Sequence, residues 1–218
     1  MDFFTIRSLP KTIYFNFKTL PFKQAMKLPV FVAYNTTFGG LYKGVIEFEG
    51  ELSRGMVKIG FGGLESYVNK TKNFISMGEH AKIKFARYAS FAKGVSLSIF
   101  GNLEIGNMFV ANDNFRISCH DEVKIGDDVI VGWDVRLFDS DNHTILDGEG
   151  NKKANHAPIH IGNHVWIGAM AHFLKGSAVA DNSVVAYQSL VCKNVTETNV
   201  IVGGSPAKVI GEHITWEK

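Results

Sequence analysis

Residues 161–196 divide into consecutive hexapeptides: IGNHVW, IGAMAH, FLKGSA, VADNSV, VAYQSL and VCKNVT. Their first positions, Ile161, Ile167, Phe173, Val179, Val185 and Val191, are all apolar. Their fifth positions, Val165, Ala171, Ser177, Ser183, Ser189 and Val195, are all small or β-branched. The second position favours Gly162, Gly168, Ala180 and Ala186. A period of six fits neither the 3.6-residue helix nor the alternation of a lone strand. It fits a coil with flat faces, each face one short strand and one turn, with the first-position side chain pointing inward. The fifth position stays small where the chain turns a corner. Stacked coils bury a continuous interior and pair each strand with its successor.

The same repeat recurs upstream as IGDDVI, VGWDVR and LFDSDN from Ile125, and in another register as IFGNLE and IGNMFV from Ile99. The phase slips by two residues near Val123, which predicts a small bulge or loop in one coil. Before residue 95 the pattern fades. Met77, Ile83, Ala89 and Val95 keep the spacing, but Arg87 and Lys93 occupy the fifth position, so 55–95 reads as early, degenerate coils. The fold class is therefore all-β, a parallel β-helix. The organisation predicted is an N-terminal arm or cap over 1–54, the β-helix over 55–210 with an ejected polar loop at 139–158, and a tail over 211–218 that folds back on the coil. Loops held on a rigid scaffold are where function concentrates.

In residues 1–45 the basic Arg7, Lys11, Lys18, Lys23, Lys27 and Lys43 are set against Asp2 alone and interleaved with aromatics from Phe3 to Tyr42. The first reading is a cap that covers the first coil with its aromatics. The second is a basic-aromatic surface for peripheral membrane contact or a polyanionic acceptor. Over all 218 residues the net charge is +2, which gives no reason to expect nucleic acid. Cys119 and Cys192 form no metal or disulfide spacing, and the N-terminus has no signal-peptide pattern, so a cytoplasmic setting is expected.

The hexapeptides, with GNHVWIGAMAHFLKG and IVGGSPAKVI, resemble the hexapeptide-repeat acyltransferases over roughly residues 95–210. The ordered set DSDNH, loop, NHVWIG, GSPAKVI is similar to bacterial O-acetyltransferases acting on galactosides and surface polysaccharides. The resemblance implies a left-handed coil, against the usual crossover hand. It also implies a homotrimer, acetyl-CoA bound between neighbouring coils, and a sugar or polysaccharide acceptor.

By the same resemblance His143 is the general base that deprotonates the acceptor hydroxyl, since a neutral alcohol is a poor nucleophile. Asp141, or a backbone carbonyl in its place, would fix the His143 tautomer. Backbone N–H groups at Gly168 and Ala169 would hold the tetrahedral oxyanion, and Trp166 would wall the pocket. Ala169 and Tyr187 would contact the pantetheine arm, and Lys193 and Lys208 the phosphates of coenzyme A. The place three residues after Lys208, often basic in the family, is Gly211 here. FVANDNF resembles the sugar-holding segment, with Asn112 as a ligand. His120 stands where galactoside enzymes often keep an acid, which points to a different sugar.

His156, His160, His164 and His172 look like a metal cluster, but the i,i+4 spacing of the first three would scatter over different faces of a six-residue coil, so no metal is expected. Three other readings stay open: N-acetylation of an amino sugar, a zinc-dependent carbonic-anhydrase-like β-helix drawing on His120, His143 and one of the loop histidines, and a non-catalytic β-helix module.

Overall fold

The computed structural model describes residues 3–63 and 71–218. Met1, Asp2 and residues 64–70 of the predicted early coils lie outside the described residues. Among the described residues the chain winds through three parallel sheets in turn. A nine-stranded sheet runs from Val30–Val32 to Ala207–Gly211, a seven-stranded sheet from Thr36–Phe38 to Leu190–Val191, and another seven-stranded sheet from Ile46–Phe48 to Asn194–Val195. This is the repeating three-sheet pattern of a left-handed β-helix. Its three corners join first sheet to second, second to third, and third back to first. The coil begins at Val30, so residues 30–54, read from the sequence as part of the arm, already carry strands of all three sheets.

The columns of the repeat take clear positions. First- and fifth-position side chains both point inward: Ile167, Phe173 and Val185 are fully buried, as are Val165, Ala171 and Ser183. The second position is small because the next coil passes against it. A Cβ on Gly168 would lie 2.7 Å from the Val185 carbonyl oxygen and 2.8 Å from the Tyr187 nitrogen. The fourth position makes the turn in left-handed backbone, with φ of 50° at His164, 60° at Met170 and 58° at both Asn182 and Gln188. That conformation costs a non-glycine residue about 1–2 kcal/mol. Each of these residues recovers part by donating its N–H to the coil before, as Met170 does to Trp133 O at 2.9 Å and Gln188 to Ala169 O at 2.9 Å.

The two-residue slip near Val123 is one instance of a regular feature. Arg116 pairs with Ser96 and with Arg136, a step of 20 residues, whereas Trp166 pairs with Val184 and His172 with Leu190, a step of 18. The additional residues lie in the second sheet, whose early strands carry a further inward side chain: Met77, Ile99, Cys119 and then Asp139. With that face counted, the early coils have the same columns as the late ones. Arg87 and Lys93 fall at outward corner positions, while Ala89 and Val95 fill the interior.

The first strand would leave a row of unpaired backbone groups at the end of the sheet. Helix α1 (Phe3–Thr19) covers it with polar side chains. Ser8 Oγ accepts from Tyr34 N at 3.1 Å, and Thr12 Oγ1 accepts from Val32 N at 3.0 Å and donates to Val32 O at 3.2 Å. Asn16 Oδ1 accepts from Val30 N at 3.2 Å while its Nδ2 donates to Val30 O at 2.6 Å. Four helical residues rise about 6 Å and two strand residues about 6.6 Å. A polar residue at every fourth helix position therefore meets every second strand residue. Phe15, fully buried, closes the end of the interior against Val30 and Ile46. The cap thus joins hydroxyl and amide groups to aromatic packing, with Phe15 and Phe17 against the core and the Phe4 ring 5.2 Å from that of Tyr34. Asn16→Ala leaves the Val30 N–H and C=O buried without partners, and a loss of about 2 kcal/mol is expected in a denaturant melt.

At the other end, Ala207–Gly211 turns back antiparallel on Ile201–Gly204. The tail then lies along the coil without forming a strand or helix. Trp216 stacks on His164 at 4.1 Å between centroids and donates Nε1–H to His164 O at 3.0 Å. No helix among the described residues is long and apolar enough to cross a membrane.

Candidate active site

The corner from first to second sheet stacks Asn112, Gly132, Gly168 and Ala186 at its second position, one per coil. Beside the last two lie Ala169 and Tyr187. The Gly168 N–H is committed to Val185 O at 2.7 Å within the ladder. This removes Gly168 from the expected pair of oxyanion donors. The Ala169 and Tyr187 N–H groups have no hydrogen-bond partner among the described residues. On the third corner three successive equivalents are taken by side chains, Asn107 N by Asp127 Oδ1 at 2.6 Å, Asp127 N by Asn163 Oδ1 at 2.8 Å, and Asn163 N by Asp181 Oδ1 at 2.7 Å, and the ladder ends at Asp181. The first corner therefore presents unpaired donors at two successive coils, where the third corner joins three successive coils through side chains. Tyr187 is exposed there, its hydroxyl 2.9 Å from Met170 Sδ. Lys208, exposed, pairs across from Gly203, which packs against Ala186 on the same corner. Trp166 stands half-exposed on the adjoining first sheet, 6.3 Å from the Trp216 ring.

Asn112 lies on this corner two coils earlier, with Nδ2 donating to Val131 O at 3.1 Å. His120 does not join it. It sits on the second corner, its ring stacked on Phe100 at 5.2 Å. Lys193 is also on the second corner, exposed, one coil after Lys175. The structure thus gathers Ala169, Tyr187 and Lys208, and places Lys193 and His120 with the ejected loop.

The loop leaves the second corner as a two-stranded arm bridged at Ser140–His156 and Leu146–Lys152. Asp147 ties its tip by accepting Glu149 N and Asn151 N, each at 2.9 Å. Those bonds, that from Asn151 foremost, hold the Asp147 carboxyl below its usual range. His143 is exposed on the arm and has no hydrogen-bond partner among the described residues. Asp141 does not orient it. The Asp141 carboxylate is taken by Lys175 Nζ at 2.5 Å, and the same ammonium donates to Ala154 O at 2.6 Å. Lys175 therefore clamps both sides of the arm to the coil.

Asp139 roots the arm. In the preceding coil Phe100 N and Gly101 N both donate to the Cys119 carbonyl, at 2.7 and 3.1 Å. One coil later the corresponding carbonyl, that of Asp139, is diverted to Ala157 N where the arm returns, at 3.0 Å. The Asp139 carboxylate replaces it, accepting His120 N at 2.8 Å and Asp121 N at 2.8 Å, and is fully buried. Burial, and then this carboxylate, push the neighbouring Cys119 thiol well above its ordinary range, so it serves as a neutral core filler. Sequence reading missed Asp139 and Lys175. The signal available was Asp139 at a column position that is apolar in every earlier coil.

Three of the four histidines singled out in the sequence take separate carboxylates: His156 with Asp121 at 3.2 Å, His160 with Glu122 at 2.8 Å and His164 with Asp128 at 2.7 Å. Among the described residues no three His, Cys, Asp or Glu side chains form a group that could hold a metal ion.

No family profile matches the chain. It is 33% identical over 139 residues to a galactoside O-acetyltransferase of Escherichia coli (strain K12), covering 64% of this chain and 64% of the relative. It is 33% identical over 147 residues to a polysialic acid O-acetyltransferase of Escherichia coli O1:K1 / APEC, covering 66% of this chain and 45% of the relative. The chain thus spans less than two thirds of the length of these curated relatives. Among solved structures, a polySia-specific acetyltransferase superposes with a TM-score of 0.64 over 92% of this chain and 82% of the other, at 20% identity, and has the same fold.

Proposed function

We propose that this chain, similar to O-acetyltransferases of galactosides and polysialic acid, is a hexapeptide-repeat acetyltransferase that transfers an acetyl group from acetyl-CoA to a hydroxyl of a sugar or polysaccharide. The observation that carries the reading is the first corner, where Ala169 and Tyr187 leave backbone N–H groups without a partner among the described residues beside Lys208, while Asn107, Asp127 and Asn163 on the third corner have theirs taken by side chains. Unpaired donors fixed on a rigid coil suit the pantetheine amides and the oxyanion of a thioester adduct.

His143 Nε2 or Nδ1 takes the proton as the acceptor oxygen bonds to the thioester carbonyl carbon. The Ala169 N–H donates to the resulting oxyanion. When the tetrahedral adduct collapses, the C–S bond breaks, the ester leaves, and the thiolate regains the proton from His143. In one protomer His143 is on the second corner and Ala169 on the first. Two such groups meet when the second corner of one copy faces the first corner of another. A homotrimer with its sites at the seams satisfies this for every copy, because the contact is head-to-tail and closes as a ring. The arm also leaves Ile145 48% and Leu146 55% exposed, apolar surface that a neighbouring copy would cover. Lys193, on the arm's corner, would then reach the coenzyme A phosphates from across the seam, opposite Lys208.

Thermal melts with increasing acetyl-CoA test the donor site. Binding to the native state alone raises the melting temperature, by about 2.7 kcal/mol of stabilisation at a hundredfold excess over the dissociation constant. A dose-dependent rise is expected, weaker in Lys208→Ala, which should raise the Michaelis constant for acetyl-CoA more than it lowers turnover. No shift at millimolar acetyl-CoA overturns the reading.

A further inference from the structure

A helix lying on a protein body ordinarily turns its apolar stripe inward and its polar face to water. Helix α1 does the reverse. Its inward side holds Ser8, Thr12 and Asn16, because that side supplies hydrogen bonds to the first strand. Its outward side holds Phe3, Ile6, Ile13 and Tyr14, which are 79%, 52%, 45% and 54% exposed. Their spacing follows one helical face. The surface continues through Phe17, whose ring meets Phe22 edge-on at 5.7 Å, into the short helix α2 (Phe22–Ala25), where Phe22 and Met26 are 66% and 61% exposed. Phe15 closes the interior with Phe17 packed partly against it, and the Tyr14 ring lies 5.8 Å from that of Phe38, whereas Phe3, Ile6, Ile13, Phe22 and Met26 stay largely exposed.

The charge around this face has one sign. From Phe3 to Ile46 the sequence contains six Lys and Arg residues and no Asp or Glu. Arg7 packs over the Tyr34 ring and Lys11 reaches the Thr36 carbonyl, so both are engaged with the coil. Lys18, Lys23 and Lys27 remain exposed beside the apolar stripe, with no ion-pair partner among the described residues. The face lies at the end of the coil, on the side of the first strand away from the later coils.

We propose that the outer face of α1 and α2 is a peripheral membrane-binding surface that inserts Phe3, Ile6, Ile13, Phe22 and Met26 among the acyl chains of an anionic lipid bilayer. An uncovered stripe of large apolar side chains bordered by lysines matches the interface of such a bilayer in both depth and charge. The juxtaposed lysines draw the face to anionic headgroups, and the aromatic and aliphatic side chains then hold it there. A sugar acceptor carried on a lipid would be brought to the coil by the same contact.

The test is sedimentation of the full chain with vesicles, in the absence of acetyl-CoA, so its result does not depend on the acetyl-transfer reading. Vesicles of phosphatidylcholine with phosphatidylglycerol should bind the protein at least about tenfold more tightly than phosphatidylcholine alone, and added salt should weaken binding. The triple charge reversal Lys18→Glu, Lys23→Glu, Lys27→Glu should abolish that preference. The double variant Ile6→Ser, Ile13→Ser should leave the protein attracted at low salt but release it as salt rises. Both variants alter outward side chains, and circular dichroism confirms that they fold. Absence of binding to phosphatidylglycerol vesicles by the unmodified protein at low salt overturns the proposal without recourse to any variant. So does equal binding to both vesicle types. A fall in solution mass in the serine variant, with no vesicle binding by the parent, assigns the face to contact between copies and equally overturns it.

Discussion

His143→Ala is expected to lower turnover by about 10²–10⁴-fold while leaving the acetyl-CoA-induced rise in melting temperature and the solution mass unchanged. The split follows from where the residue sits. His143 is exposed on the arm and makes no hydrogen bond or ion pair among the described residues, so removing its ring breaks none of these. The donor site proposed at Ala169, Tyr187 and Lys208 is on another corner and keeps its geometry. What disappears is the group that takes the hydroxyl proton, and only the chemical step depends on it. Turnover is read by thiol release from acetyl-CoA with a sugar acceptor, and mass by sedimentation. Full turnover in the variant would place the base elsewhere. Lost acetyl-CoA binding would show instead that the arm helps to form the donor site.

Asp139→Ala should cost about 3 kcal/mol of stability, because two buried backbone donors, His120 N and Asp121 N, lose a charged acceptor together. No other group can replace it. The carbonyl that serves the equivalent turn one coil earlier is here occupied by Ala157 N–H. Asp139→Asn keeps one acceptor oxygen and should lose roughly half as much. Chemical denaturation measures both. Because the same residue anchors the base of the arm that carries His143, the alanine variant should also lose turnover with little change in the Michaelis constant for acetyl-CoA. An unchanged midpoint in Asp139→Ala would mean that water satisfies the two donors and that the carboxylate does not hold the arm.

Much of the coil was legible because its constraint is local and repeated. An inward residue at every first position and a small neighbour at most second positions recur with each turn, so Ile161 through Val191 state the fold several times over. The early coils were harder to read because the second sheet adds two residues per circuit. A six-residue frame carried back from Val95 then drifts onto Arg87 and Lys93, which are corner residues. The N-terminal helix was hidden for a different reason. Its inward face is chosen to match the spacing of strand backbone groups, so Ser8, Thr12 and Asn16 look like solvent-facing residues in any count of hydrophobic periodicity.

The candidate site divides in the same way. Sequence alone put His143 on an ejected arm and Ala169 and Lys208 in motif positions, because those are properties of residue type and order. Which corner each one occupies depends on the number of residues in every preceding circuit, a sum that no single motif contains. Only the tertiary structure separated His143 from Ala169 onto different corners, gave Asp141 to Lys175 rather than to His143, committed the Gly168 N–H to Val185, and put Asp139 in place of a carbonyl that the arm had drawn away. Repeating hydrophobic contacts specify a coil from within each turn, whereas hydrogen bonds between distant turns are decided only when the coils have stacked.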